Sequence, residues 1–101
     1  MRVAYIAGAY RAPTVNGIYL NIQKARAVAF EYWHRGYAVI CPHTNTALMD
    51  GNDDSHVWID GDIEILKRCD VIIMMAGWEY SDGARHEHDI AESLNKEIIY
   101  L

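Results

Sequence analysis

The chain has 101 residues, 51% of them apolar and 23% charged, which bounds it to one soluble globular domain, residues 1–101. Its formal net charge of −5 leaves no basic footprint for a nucleic acid polymer, whose binding rests on Lys and Arg contacts to phosphate. No apolar run is long enough to span a bilayer, and the N-terminus enters a strand-like segment directly, so no membrane partner and a cytoplasmic setting are expected. Cys41 and Cys69 read as buried free thiols of a reducing compartment. Cys41-Pro42-His43 with His56, His86 and His88 matches no zinc spacing, and neither a metal nor another cofactor is expected.

In chain order, Arg2–Ala7 is a continuous apolar segment, as expected of a parallel strand covered on both faces. Gly8–Thr14 is a loop. From about Asn16 to Arg35, Ile18, Ile22, Ala25, Ala29 and Tyr32 recur at helical spacing, with Gly36 as the stop signal. Tyr37–Cys41 is a second strand ended by Pro42, and His43–Asp54 a polar loop long enough to suggest function. Ser55 is placed to cap a helix running to about Arg68, with Ile59, Ile63 and Leu66 as its apolar stripe. Val71–Met75 is a third strand, Gly83–Leu94 a third helix and Glu97–Leu101 a fourth strand. This β-α-β-α-β-α-β order demands a parallel sheet with right-handed crossovers. The predicted fold is a three-layer α/β, doubly wound sheet in strand order 2-1-3-4, a trimmed flavodoxin-like arrangement. Ligands bind such sheets outside the strand C-termini at the switch point, here between strands one and three, which brings Tyr10 and Arg11 next to Ser81 and Glu87.

Glu87 is the anomaly of the chain. On a helix it shares a face with Gly83, Ala84, Ile90, Ala91 and Leu94, so a carboxylate occupies a core-facing position. The helix macrodipole accounts for an acid near this terminus but not for the inward face, which the outward Asp82 or Asp89 would avoid. Asp62 borders the stripe of the second helix and reads as a surface acid unless it pairs with Glu87. Two carboxylates in one cleft are the usual means of intercepting an oxocarbenium-like centre. Tyr5 is either a core tyrosine or a hydrogen-bond donor to a carboxylate. Tyr10 either covers a base or sugar or packs its loop, and Arg11 is either an anion ligand or solvated. His43 is within reach of a ligand from its loop, whereas His86 and His88 read as surface residues. Ser81 and the Gly83 backbone sit at a helix N-terminus, which favours anions. Neither a dinucleotide-binding glycine pattern nor a Walker sequence nor a serine-hydrolase elbow is present.

Tyr5-Ile-Ala-Gly-Ala-Tyr-Arg11, Cys41-Pro-His-Thr-Asn-Thr46, Trp58-Ile-Asp-Gly-Asp62 through Cys69-Asp70, and Gly77-Trp-Glu-Tyr-Ser-Asp-Gly-Ala-Arg-His-Glu87 together resemble the nucleoside 2-deoxyribosyltransferase-like superfamily. The likeness is greatest to its short phage- and bacterium-associated members. The spacing from Ser81 to Glu87 is similar to that of the 2′-deoxynucleoside 5′-monophosphate N-glycosidases. The resemblance implies that Glu87 is the nucleophile, that Tyr5 orients it, and that Asp62 assists the leaving base or holds the sugar. It further implies that Arg11 and Ser81 contact a 5′-phosphate. The family enzymes continue past the last strand with a segment that completes a neighbouring subunit's site; this chain stops at Leu101, so that contribution is expected to be absent. Arg85, His86 and His88 replace the small or apolar neighbours of the family glutamate.

The expected function is cleavage of an N-glycosidic bond in a (deoxy)nucleoside or its 5′-monophosphate, by hydrolysis or base transfer through Glu87, in a homodimer or higher homo-oligomer. Tyr10 and Trp78 are expected to flank the base. The alternatives are a nucleotide-binding or sequestering protein without catalysis, and an interaction protein with a vestigial site.

Overall fold

A computed structural model describes residues 1–101. Four strands, β1 (Val3–Ala7), β2 (Ala38–Ile40), β3 (Val71–Met74) and β4 (Glu97–Tyr100), form one parallel sheet in the order β2-β1-β3-β4, as the sequence predicts. The long helix α1 (Val15–His34) covers one face; α3 (Ser55–Lys67) and α4 (Asp82–Ser93) lie on the other. The alternation of side chains along β1 and β3 divides the core accordingly. Ala4, Ile6, Val71 and Ile73 pack with Ala25, Ala29 and Tyr32 of α1. Tyr5, Ala7, Ile72 and Met74 pack with Leu66, Cys69, Ala84 and Ala91 on the opposite side. All of β3 is fully buried, and burying a side chain such as Val71 or Ile73 contributes about 1.5–3 kcal/mol. Cys41 and Cys69 are buried free thiols.

Local signals set most element boundaries. Thr14 caps α1, its hydroxyl accepting the Gly17 N–H at 3.0 Å. The stop at Gly36 uses a left-handed backbone, φ 92°, which glycine adopts without Cβ strain. Four expectations need correction. The stretch after β2 is not all loop: Pro42–Asn45 forms a one-turn helix, α2, because Pro is pre-shaped for a first helical position. Asp54, not Ser55, caps α3, accepting the His56 N–H at 2.9 Å. The stripe of α3 also faces differently. Of its thirteen residues only Leu66 is buried; Ile59 is 41% exposed and lines a cleft, and Ile63 is half-buried between that cleft and the core. Likewise Leu94, placed in the stripe of the third helix, falls one residue past its end and is 46% exposed.

The C-terminal ends of β1 and β3 are held close together. A Cβ at Gly8 would lie 2.8 Å from Met75 Sδ and 2.9 Å from Met75 Cβ, so only glycine fits without moving the start of the loop after β3. Gly8→Ala should therefore lower stability by about 1–3 kcal/mol in urea unfolding. Gly83→Ala, where an added Cβ meets nothing within 4 Å, should be neutral or raise stability by about 0.4–1 kcal/mol.

Candidate active site

Outside the C-terminal ends of β1 and β3 lies a cleft of about 1040 Å³. Three loops build it: the β1 exit, the segment between α2 and α3, and the turn between β3 and α4. Glu87 lines its inner wall from the second turn of α4. Because Tyr5 points to the α3–α4 side of the sheet, its hydroxyl reaches across and donates to Glu87 Oε2. The tyrosine is fully buried. Burial, reinforced by the adjacent carboxylate, raises its pKa far above the usual range, so the phenol remains a donor.

Burial is the main influence on Glu87 as well. It pushes the carboxyl up from 4.5 to about 7, the hydrogen bond from Tyr5 pulls it down, and the negative charge of Asp62 pushes it up. Asp62 is partly buried in the same cleft with no hydrogen-bond partner in the protein, and desolvation raises it to about 6. Two carboxyl groups that titrate near neutrality thus share one cavity, the arrangement expected of groups that exchange charge with a ligand.

Of the other residues expected at the site, Tyr10, Arg11, His43, Ser81 and Gly83 all line the cleft. Tyr10 donates to Asp50 Oδ1 at 2.5 Å. Burial and this bond raise its phenol to about 12. Arg11 is exposed and makes no ion pair. His43 is buried, its Nε2 lying 2.9 Å from the Ala9 carbonyl. A carbonyl only accepts, so Nε2 carries the proton, and burial lowers the pKa of the ring. His43 thereby holds the β1 exit loop as a neutral group. Ser81 caps α4, its Oγ accepting the Ala84 N–H at 3.2 Å; the Asp82 and Gly83 amides have no intramolecular acceptor.

Trp78 is the exception. Its ring stacks on His88, centroids 4.3 Å apart, beside Tyr100 and away from the cleft. The same contact corrects the reading of His88 as a surface residue. It is 8% exposed, with Nε2 2.8 Å from the Tyr100 hydroxyl and Nδ1 3.0 Å from Asp89. One helical step separates Glu87, facing the cleft, from His88, facing the β4 edge.

The cleft also recruits residues that the sequence left out of the site, His86 reading there as a surface group and Asp82 as an outward one. Asp50, Asp53, Asp82, Tyr80 and His86 line it. His86 follows Gly83 by three positions, a same-face spacing that could have identified it. Asp50 and Asp53 were visible only as loop acids, and Asp82 as an outward acid at the start of the third helix. Five carboxylates (Asp50, Asp53, Asp62, Asp82 and Glu87) and one guanidinium, Arg11, face the cavity. A second hollow of about 690 Å³, between α1 and β2, contains no carboxylate. No cluster of potential metal ligands occurs, and no helix is long and apolar enough to cross a membrane.

The parallel 2-1-3-4 sheet with its cleft at the switch point matches the deoxyribosyltransferase fold. A solved 2-deoxyribosyltransferase from Bacillus psychrosaccharolyticus superposes with a TM-score of 0.69 at 20% identity, over 97% of this chain and 70% of that one. The chain belongs to the family described as Domain of unknown function (DUF4406), whose model matches residues 2–100. No protein of curated function matches it in sequence.

The Tyr5 bond and the burial of Glu87 make separable predictions. Tyr5→Phe removes the hydrogen bond that lowers the Glu87 pKa, so the side chain should titrate above about 7, as read by carboxyl NMR. Glu87 is raised in the folded state, so its contribution to stability is greatest below about 4.5 and is lost as pH rises to about 7. Glu87→Gln should therefore raise Tm more at pH 8 than at pH 4.

Proposed function

We propose that the protein cleaves the N-glycosidic bond of a (deoxy)nucleoside or its 5′-monophosphate, by hydrolysis or base transfer. One observation carries the reading: a carboxylate held by a buried phenol in a large cleft, with a second, unpaired carboxylate in the same cavity. The 2-deoxyribosyltransferase of the same fold supports it. Glu87, as carboxylate, attacks C1′; the bond to the base breaks, and its electron pair leaves with the base. Asp62, raised to about 6, supplies the proton that neutralises the leaving base. Water, giving its proton to the Asp62 carboxylate left by the first step, then attacks C1′ of the glycosyl-enzyme and breaks its bond to Glu87, giving net retention; a second base would complete transfer instead.

The charge of the walls bears on the substrate. Arg11 and the free amides of Asp82 and Gly83 could hold a 5′ group. One guanidinium against five carboxylates disfavours a dianion, so the unphosphorylated nucleoside is the preferred form. A binding protein without catalysis would use the same cavity but has no need of a nucleophile.

Glu87→Gln should reduce base release to background while the protein stays folded, and Asp62→Asn should cost about 10²–10⁴-fold. Glu87 must be ionised and Asp62 protonated, so the pH profile of kcat/KM should be a narrow bell with apparent limbs near 6 and 7, its alkaline limb absent in Asp62→Asn. Chromatography of deoxynucleosides incubated with each variant checks this; full activity in folded Glu87→Gln would overturn the mechanism, and ligand-induced rises in Tm without product would support the binder.

A further inference from the structure

The turn between β3 and α4 presents one aromatic ring that the fold does not use. Gly77, in a left-handed conformation with φ 87°, opens a 3-10 turn over Trp78–Tyr80. The turn is closed by the Tyr80 N–H to Gly77 and the Ser81 N–H to Trp78 carbonyl, both at 3.1 Å. Its first residue is locked, because Trp78 stacks on a buried histidine that is itself bonded to Tyr100. Side chains on a 3-10 turn are spaced about 120° apart, so locking Trp78 inward directs Tyr80 elsewhere. Tyr80 lines the cleft, is 93% exposed and pairs with no other ring. The other cleft tyrosine, Tyr10, is occupied by Asp50 and lies edge-on to His43.

We infer that Tyr80 is a stacking platform of the cleft and that its ring face receives a planar heteroaromatic group, the base of the nucleoside. This rests on the nucleoside reading of the cleft and assigns to Tyr80 the role that the sequence suggested for Trp78. Stacking is tolerant of base identity, because every base has a π-face. Tyr80 therefore contributes affinity for a base without choosing between purine and pyrimidine.

The test compares wild type, Tyr80→Phe and Tyr80→Ala, all on a Glu87→Gln background to prevent turnover. Calorimetry measures binding of the four common 2′-deoxynucleosides, and base release is followed separately with Glu87 intact. Tyr80→Ala should weaken every deoxynucleoside about ten-fold or more and Tyr80→Phe by less than about two-fold, the pattern of a ring face rather than a hydroxyl. Because Tyr80 is exposed, Tm should not change. Unchanged affinity in Tyr80→Ala, equal losses in Phe and Ala, or no deoxynucleoside binding at all would overturn the inference. Base release that is insensitive to Tyr80, together with unchanged affinity, overturns the stack and leaves the proposed reaction standing. Tyr80-dependent binding without base release by the Glu87 protein supports the stack and overturns the reaction.

Discussion

The hydrogen bond from Tyr5 to Glu87 joins the central part of the sheet to the helix that forms the inner wall of the cleft. It needs Tyr5 at an interior position of β1, with the strand register turning its ring to the α4 side, and Glu87 one helical turn beyond Gly83. Gly8 contributes from a distance, because only a residue without Cβ allows the β1 exit to approach Met75. The fold spends a buried donor and a half-buried carboxylate on one contact. An apolar pair of the same shape would stabilise the protein at least as well. The polar pair is therefore better explained by the cleft it faces than by the core it borders.

The site's electrostatics follow from where each acid sits. Burial alone raises Asp62, whereas Glu87 balances a larger burial penalty and the charge of Asp62 against the bond from Tyr5. Removing the phenol would leave Glu87 protonated over a wider pH range, and removing Asp62 would ease its ionisation. The two carboxyl groups consequently titrate as a pair, and neither value belongs to one residue in isolation.

Much of this was legible in the sequence because it depends on periodicity. Continuous apolar strands alternating with helical stripes imply a parallel sheet, and the inward position of Glu87 follows from counting residues along one helix. The Ile59 and Ile63 stripe was equally visible, but periodicity reports which face is apolar, not what that face meets; here Ile59 meets a cleft and Ile63 lies between the cleft and the core. The α2 turn was obscured by the polar character of His43–Asp54. Trp78 and Tyr80 are two residues apart in a turn, where no period distinguishes inward from outward. Their roles were decided by His88, whose burial depends on a partner twelve residues away in β4.

The two acids are held with unequal firmness, and the chemistry can use the difference. Glu87 is fixed by a fully buried phenol on a helix whose inner face packs Ala84 and Ala91 against the sheet. Asp62 rides on α3, which is anchored in the core by Leu66, one turn further on, and leaves its N-terminal half along the cleft. In the proposed reaction the nucleophile must meet C1′ within a narrow range of distance and angle, which suits the rigidly held carboxylate. A proton donor has to serve a leaving base whose position changes with its identity, and a carboxyl with no protein partner on a lightly packed helix can follow it. The asymmetry in packing thus runs in the same direction as the hydrogen bonding, with Glu87 as the fixed group and Asp62 as the adjustable one, as the proposed roles require.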